Sequence, residues 1–142
     1  MTKSILAVLG GWAAVGLLVV LTDVVLGRIY PQEYVQGKVP PDSLSAVSLA
    51  TSVIYSVIGG WVTAWIAGRK RWAHILALIL WGELMGISSA FFTWGKIQNW
   101  HQIGLILGWI PAVFLGGYLQ IGHKRFREQD PAGAQAGAAP EA

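Results

Sequence analysis

Two acidic residues are the only charged side chains inside four long apolar runs of this 142-residue chain. Glu83 falls near the middle of the third run, and Asp23 falls near the end of the first. If the runs cross a bilayer, a charged carboxylate at mid-depth costs roughly 3 kcal/mol or more unless it is paired or wetted. No Lys or Arg lies in any run, so no basic side chain of the runs can pair with Glu83.

The candidate partners of Glu83 are polar groups at the same depth of the other runs. Tyr55 and Ser56 lie at that depth in the second run. Pro111 lies at that depth in the fourth, and because proline has no amide hydrogen it frees the carbonyl of Leu107. We therefore expect a polar site made of Glu83, Tyr55, Ser56, Leu107 and Pro111 inside the membrane.

Two interpretations of this site stay open. Glu83 could carry protons or hold a cationic substrate, as ionisable groups inside membranes often do. Alternatively it is a neutral structural donor to Leu107 or Tyr55, because burial disfavours the charged carboxylate. Asp23 lies about one turn before Arg28, so we interpret it as an interfacial pair or a helix-end contact.

No residue pattern indicates catalysis or a bound cofactor. The chain has no cysteine, no Gly-rich phosphate loop, no plausible Ser/His/Asp set and no paired carboxylates at matching depth. His74 and His123 near one surface could in principle ligate a haem, but both lie at run ends beside basic residues, and His101 lies near the other surface. We expect no enzyme activity, no cofactor and no metal.

The four runs predict an all-α fold, an integral membrane bundle of four transmembrane helices. A bilayer core of about 30 Å needs about 20 helical residues. The runs meet this length and cover about 5–26, 46–67, 72–93 and 102–121. They form one transmembrane domain over residues 1–127, and residues 128–142, rich in Ala, Gly, Pro and acids, are expected to be a disordered cytoplasmic tail.

The basic residues predict the orientation and exclude nucleic acid as a partner. They cluster beside the ends of the runs, as membrane-flanking residues do. With four spans, the amino terminus, the 69–71 turn and the carboxyl tail share one side and hold seven Lys and Arg, against three on the other side. Both termini are therefore predicted to be cytoplasmic.

Small residues recur every fourth position in the runs and predict close helix packing. Lipid removes the usual hydrophobic drive between helices, so close backbone approach matters more. The expected packing positions are Ser52, Gly60, Gly86, Gly104, Gly108 and Gly116. One of these rows could serve an oligomer interface rather than internal packing.

Two sequence stretches carry a resemblance to known proteins. They are SVIGGWVTA with the following IAGR, residues 56–69, and WIPAVFLGG, residues 109–117. This sequence resembles small four-span bacterial inner-membrane proteins of unassigned function, and the resemblance implies a bacterial inner membrane and no activity. The size is also similar to that of the small multidrug-resistance transporters, four-span dimers whose essential acid lies in the first span, whereas here the central acid lies in the third.

The resulting expectation is a small multi-pass protein that packs with itself or with a larger membrane complex and is not catalytic. The alternative is a small oligomeric proton-linked transporter or channel that uses Glu83. In either case the lipid bilayer is the first partner, and the small-molecule substrate is unknown.

Overall fold

The computed structural model describes residues 2–33, 39–68 and 71–129, and these residues form four α-helices. The helices are α1 (Thr2–Ile29), α2 (Asp42–Ala67), α3 (Arg71–Thr93) and α4 (Asn99–Gln129). The described residues contain no strand, only an isolated bridge between Trp94 and Ile97. The all-α prediction is confirmed.

Each helix contains its predicted span and extends beyond it. The largest extension is in α4, which continues to Gln129, eight residues past the predicted end at Ile121. Glu128 and Gln129 are therefore helical and do not begin the tail as expected. Residues 130–142 of the predicted tail lie outside the described residues.

Contacts between the helices define an up-down-up-down bundle with two distinct ends. Gly11 in the first half of α1 lies against Thr63 near the end of α2, whereas Thr22 further along α1 bonds Tyr55 in the middle of α2, so these helices are antiparallel. The end of α1, the start of α2, the end of α3 and the start of α4 lie at one end, which we name the loop end. The end of α2 and the start of α3 lie at the other, the turn end, with the start of α1 and the end of α4.

Helix α2 lies between α1 and α4 and also contacts α3. The row of small residues on α4 packs against it. A Cβ atom built on Gly116 would overlap the carbonyl of Val57, and one on Gly60 of α2 would overlap the carbonyl of Val113. The two backbones approach so closely that even a methyl group has no room at these positions.

The same row continues towards the loop end with more space. A Cβ atom on Gly108 would lie 3.2 Å from Val53, and one on Gly104 would lie 2.8 Å from Leu49. These neighbours are ends of side chains rather than backbone. The α2–α4 contact is therefore tightest in the turn-end half and looser near the loop end.

The buried apolar core also lies in the turn-end half. It consists of Ala64, Ile75, Leu78, Ile79 and Val113. No comparable apolar cluster occupies the loop-end half of the described residues. The bundle is thus densely packed in one half and more open in the other.

The outer surface of the bundle is apolar along its length. Phe91 is 81% exposed and Leu80 is 71% exposed, and Trp65 and Tyr118 are exposed near the turn end. All four helices are long and apolar enough to cross a membrane. Such a surface is unfavourable in water, because its exposed apolar side chains cover far more area than the apolar patches on soluble monomeric proteins.

Candidate functional site

A cavity of about 310 Å³ lies among all four helices in the loop-end half of the bundle. Along α3 its walls extend from Gly82 to Thr93, eleven residues or about 16 Å at 1.5 Å per residue. Thr93, Ile97 and His101 line it at the loop end. The cavity therefore extends from the middle of the bundle to its loop end.

Glu83 lines this cavity at its deep end, and it is the only acidic residue among the lining residues that the structure describes. Its Oε1 atom is buried and has no hydrogen-bond partner among the described residues. A buried polar atom without a partner costs about 1–3 kcal/mol, more if charged. Gly82 and Gly86 flank Glu83 on the same wall, so no large side chain of α3 stands between the carboxyl group and the cavity.

The predicted partners of Glu83 are placed in different surroundings. Ser56 lines the same cavity, but its hydroxyl donates to the carbonyl of Ser52, 2.7 Å away. The hydroxyl of Tyr55 is instead 2.7 Å from that of Thr22 on α1. Because the Thr22 hydroxyl donates to the carbonyl of Leu18, Tyr55 is the donor in this pair.

Leu107 and Pro111 lie away from the cavity. The Leu107 side chain is 67% exposed, Pro111 is exposed, and neither lines the cavity. Both side chains therefore lie on the outer face of α4, and among the described residues no hydrogen bond joins Glu83 to the Leu107 carbonyl, its expected partner. The structure does not bring Glu83 together with Tyr55, Leu107 and Pro111.

The small residues predicted for packing divide between two roles. Gly60, Gly104, Gly108 and Gly116 lie in the α2–α4 contact, as described above. Ser52 and Gly86 line the cavity instead. A Cβ atom on Gly86 would be 3.8 Å from Ile106, an ordinary contact, so this glycine is not needed for close approach.

Two polar residues of α4 belong to the cavity although the sequence pattern did not associate them with Glu83. His101 and Gln102 line it at the loop end, and Gln102 is only 6% exposed. The Gln102 amide nitrogen donates to the carbonyl of Thr93, 3.2 Å away. His101 Nε2 and Gln102 Oε1 are buried without a hydrogen-bond partner among the described residues.

Trp109 forms the floor of the cavity, its end nearest the turn end. The indole ring covers Gly82, where a Cβ atom would overlap it, and Nε1 donates to the carbonyl of Ile79, 3.2 Å away. Trp109 also packs on the buried core. The dense core therefore begins directly below the floor and separates the cavity from the turn end.

The rim of the cavity is held by hydrogen bonds between residues at the start of α2 and residues at the start of α4. Gln98 accepts a hydrogen bond from the Ser45 hydroxyl at 3.1 Å and donates one to the carbonyl of Pro40. Trp100 Nε1 donates to Asp42 at 3.3 Å. These bonds join the start of α2 to the start of α4 and fix the residues that follow, His101 and Gln102.

The remaining ionisable candidates lie elsewhere. Asp23 is exposed on α1, and within the described residues no ion pair joins it to Arg28. His74 lines a groove between α1 and α3, whereas the His123 ring lies 6.0 Å from that of Trp61 on α2. These two histidines thus lie against different helices, and no group of three His, Asp or Glu in the described ranges could hold a metal ion.

The arrangement is therefore a deep, mainly apolar cavity with one carboxyl group at its base and two polar side chains near its mouth.

Comparison of the chain with protein-family models, with curated proteins and with solved structures finds no match.

Proposed function

We propose that this chain is a multi-pass membrane protein of the bacterial inner membrane, with both termini cytoplasmic, that admits a small solute from the loop side to Glu83. The observation that carries the proposal is the position of Glu83 at the base of a cavity that extends to one end of the bundle only. More Lys and Arg flank the spans on the turn-end side than on the loop-end side, which supports an orientation with the loop end outside the cytoplasm.

The polar site inside the bundle has a cost in stability. An unpartnered carboxyl oxygen beside apolar walls destabilises the bundle, and a buried Gln102 oxygen adds to that cost. Ionisable groups inside membranes that face a cavity often form part of substrate or proton pathways. Glu83 can bind a proton or a positive group, so proton-linked transport is the activity that fits it best.

The packing supports one-sided access. The buried core and Trp109 close the path between Glu83 and the turn end. In this form a solute would exchange with the loop side alone. Transport requires a second form in which Trp109 leaves Gly82 and the turn-end half opens.

Cysteine labelling in liposomes tests the access, since the chain has no cysteine of its own. Ser89 lines the cavity, whereas Leu78 is fully buried in the core. A charged, membrane-impermeant thiol reagent added at the loop side should modify Ser89→Cys and leave Leu78→Cys unmodified. Equal protection of both positions would contradict an open cavity.

Proton flux into liposomes with a pH-sensitive dye tests the activity. Wild-type protein should raise the flux above that of empty vesicles, and Glu83→Gln should abolish the increase. Ser88→Ala is a matched control, because its hydroxyl donates to the carbonyl of Leu84 on the same helix outside the cavity. Unchanged flux in Glu83→Gln would remove Glu83 from the mechanism.

A second candidate is a non-catalytic component that packs with itself or with a larger membrane complex. The observation that favours it is Gly16 in the middle of α1, where an added Cβ atom would have no neighbour within 4 Å among the described residues. A mid-helix glycine costs roughly 1 kcal/mol relative to alanine, and close approach by another protein would offset this. Native mass measurement in mild detergent should then show an oligomer or complex that Gly16→Leu disrupts.

A further inference from the structure

Three buried polar atoms that have no hydrogen-bond partner in the described part of the chain line one cavity, and their chemistry restricts what the cavity can bind. They are Oε1 of Glu83, Oε1 of Gln102 and Nε2 of His101. The orientation of the Gln102 amide is settled by its partner, because the Thr93 carbonyl can only accept. The amide atom that remains free is therefore an acceptor.

The other two atoms can also accept hydrogen bonds. A carboxylate oxygen accepts, and neutral histidine accepts at Nε2 when the proton is on Nδ1. Among the described residues, no Lys or Arg lines the cavity and Glu83 is the only acid that does. A ligand that complements the Gln102 oxygen must supply a donor there, and a positively charged donor matches the carboxylate of Glu83.

The two ends of the cavity are far apart along the bundle. Gln102 bonds to Thr93, which follows Glu83 by ten residues, or about 15 Å along α3. The wall between them is mainly apolar and includes Val19, Val53 and Ala90. A single small head group cannot reach both acceptors, so a ligand that satisfies both is elongated and has an apolar middle.

The cavity volume sets the size of the ligand. Its 310 Å³ is about twice the volume of an apolar cavity that holds one benzene molecule, about 150 Å³. A chain of about ten non-hydrogen atoms fits such a space and spans roughly 10 Å, and the Glu83 side chain and the two hydrogen bonds cover the remainder.

The walls are unsuitable for a fully methylated ammonium group. Such groups are bound by several aromatic ring faces. Trp109 is the one Trp, Tyr or Phe among the described lining residues, and its ring already covers Gly82. The unpartnered atoms require hydrogen-bond donors, and a positive charge without an N–H group does not satisfy them.

We propose that the cavity binds an elongated primary amine with a second hydrogen-bond donor at its far end, the ammonium group at Glu83 and the second donor at Gln102. This inference rests on the open cavity of the proposed function and adds the ligand class. Water molecules alone would satisfy the unpartnered atoms one by one, but they would not make the cavity bind one amine more tightly than another.

Competitive binding to the full chain in lipid nanodiscs tests the proposal with three probes of matched length. They are a linear amino alcohol with about eight carbons, the corresponding alkylamine without the hydroxyl, and the trimethylammonium form of the amino alcohol. The amino alcohol should bind most tightly. Removing the hydroxyl should weaken binding about fivefold, the value of one neutral hydrogen bond, and methylating the nitrogen should weaken it by about tenfold or more.

Two variants locate the ends of the ligand. Glu83→Gln should weaken the amino alcohol and the alkylamine alike by about tenfold or more. Gln102→Leu should weaken only the amino alcohol, so its unchanged affinity for the alkylamine also shows that this variant is folded. Ser88→Ala should bind all three probes as the wild type does.

Equal binding of the trimethylammonium form, or a Gln102→Leu effect that is the same for both amines, would overturn the proposal. The failure would be distinct from that of the proposed function. Labelling of Ser89→Cys and flux through Glu83 would survive a wrong ligand class, whereas protection of Ser89→Cys would remove the cavity itself.

Discussion

The indole nitrogen of Trp109 donates a hydrogen bond to the carbonyl oxygen of Ile79, 3.2 Å away. In an α-helix that carbonyl also accepts the amide hydrogen of the residue four positions later, which here is Glu83. The floor of the cavity is therefore attached to the helical turn that carries the carboxyl group. A movement of the floor and a movement of Glu83 are mechanically linked through one carbonyl group.

Replacing Trp109 by leucine should open the path towards the turn end. Leucine cannot donate a hydrogen bond to the Ile79 carbonyl and is too small to cover Gly82. The buried core below the floor should therefore become accessible from the cavity. In a Trp109→Leu background, Ile79→Cys should react with a small thiol reagent, whereas in the wild-type background it should stay protected, because Ile79 is buried. The same low reactivity in both backgrounds would show that Trp109 does not close the cavity.

The α2–α4 contact should not tolerate added volume at Gly60. A methyl group there would overlap the Val113 carbonyl, and overpacking typically costs about 1–3 kcal/mol. Gly60→Ala should lower the free energy of unfolding by that amount in a detergent-titration assay. Gly122→Ala is the matched control, since a Cβ atom at Gly122 would have nothing within 4 Å in the described part of the chain. A Gly60→Ala variant as stable as Gly122→Ala would contradict the close approach.

The hydrogen bond between Tyr55 and Thr22 should contribute a small, measurable coupling between α1 and α2. Double-mutant cycles inside membranes average about 0.6 kcal/mol for such bonds. The cycle of Tyr55→Phe and Thr22→Val, read by unfolding, should give a coupling energy of this size. Additive effects of the two substitutions would mean that the 2.7 Å contact contributes no stability.

The predicted orientation can be checked with reporters on both sides of the membrane. Seven Lys and Arg flank the turn-end side of the sequence against three on the loop side, so a reporter after Ala142 should be active in the cytoplasm. A second reporter inserted at Gly37 should be active only outside. The opposite pair of activities would place the mouth of the cavity in the cytoplasm.

Several features follow from the residue order alone. Long apolar runs flanked by basic residues specify helices of spanning length, because backbone groups in an apolar medium must bond within their own segment. The depth of Glu83 follows from counting along its helix. Prolines and glycines beside the runs mark their approximate ends, although the last helix continues through polar residues to Gln129.

The surroundings of Glu83 depended on the tertiary structure. Helical periodicity says which residues share a face, but the rotation of each helix is set by contacts with distant segments. Tyr55 turns to Thr22 of α1, and Leu107 turns to the outer surface, so neither reaches Glu83. His101 and Gln102 carry no sequence signal that joins them to a residue in the preceding helix.

The sequence alone therefore determined four apolar helices and one acid at mid-depth, since both depend on local composition and length. The tertiary structure decided that the helices pack closely at Gly60 and Gly116 and leave a cavity nearer the loop end. The physical reason is that the distance between two helices is set by the side chains that meet between them. These contacts join residues that are tens of positions apart in the sequence, so no local sequence pattern encodes them.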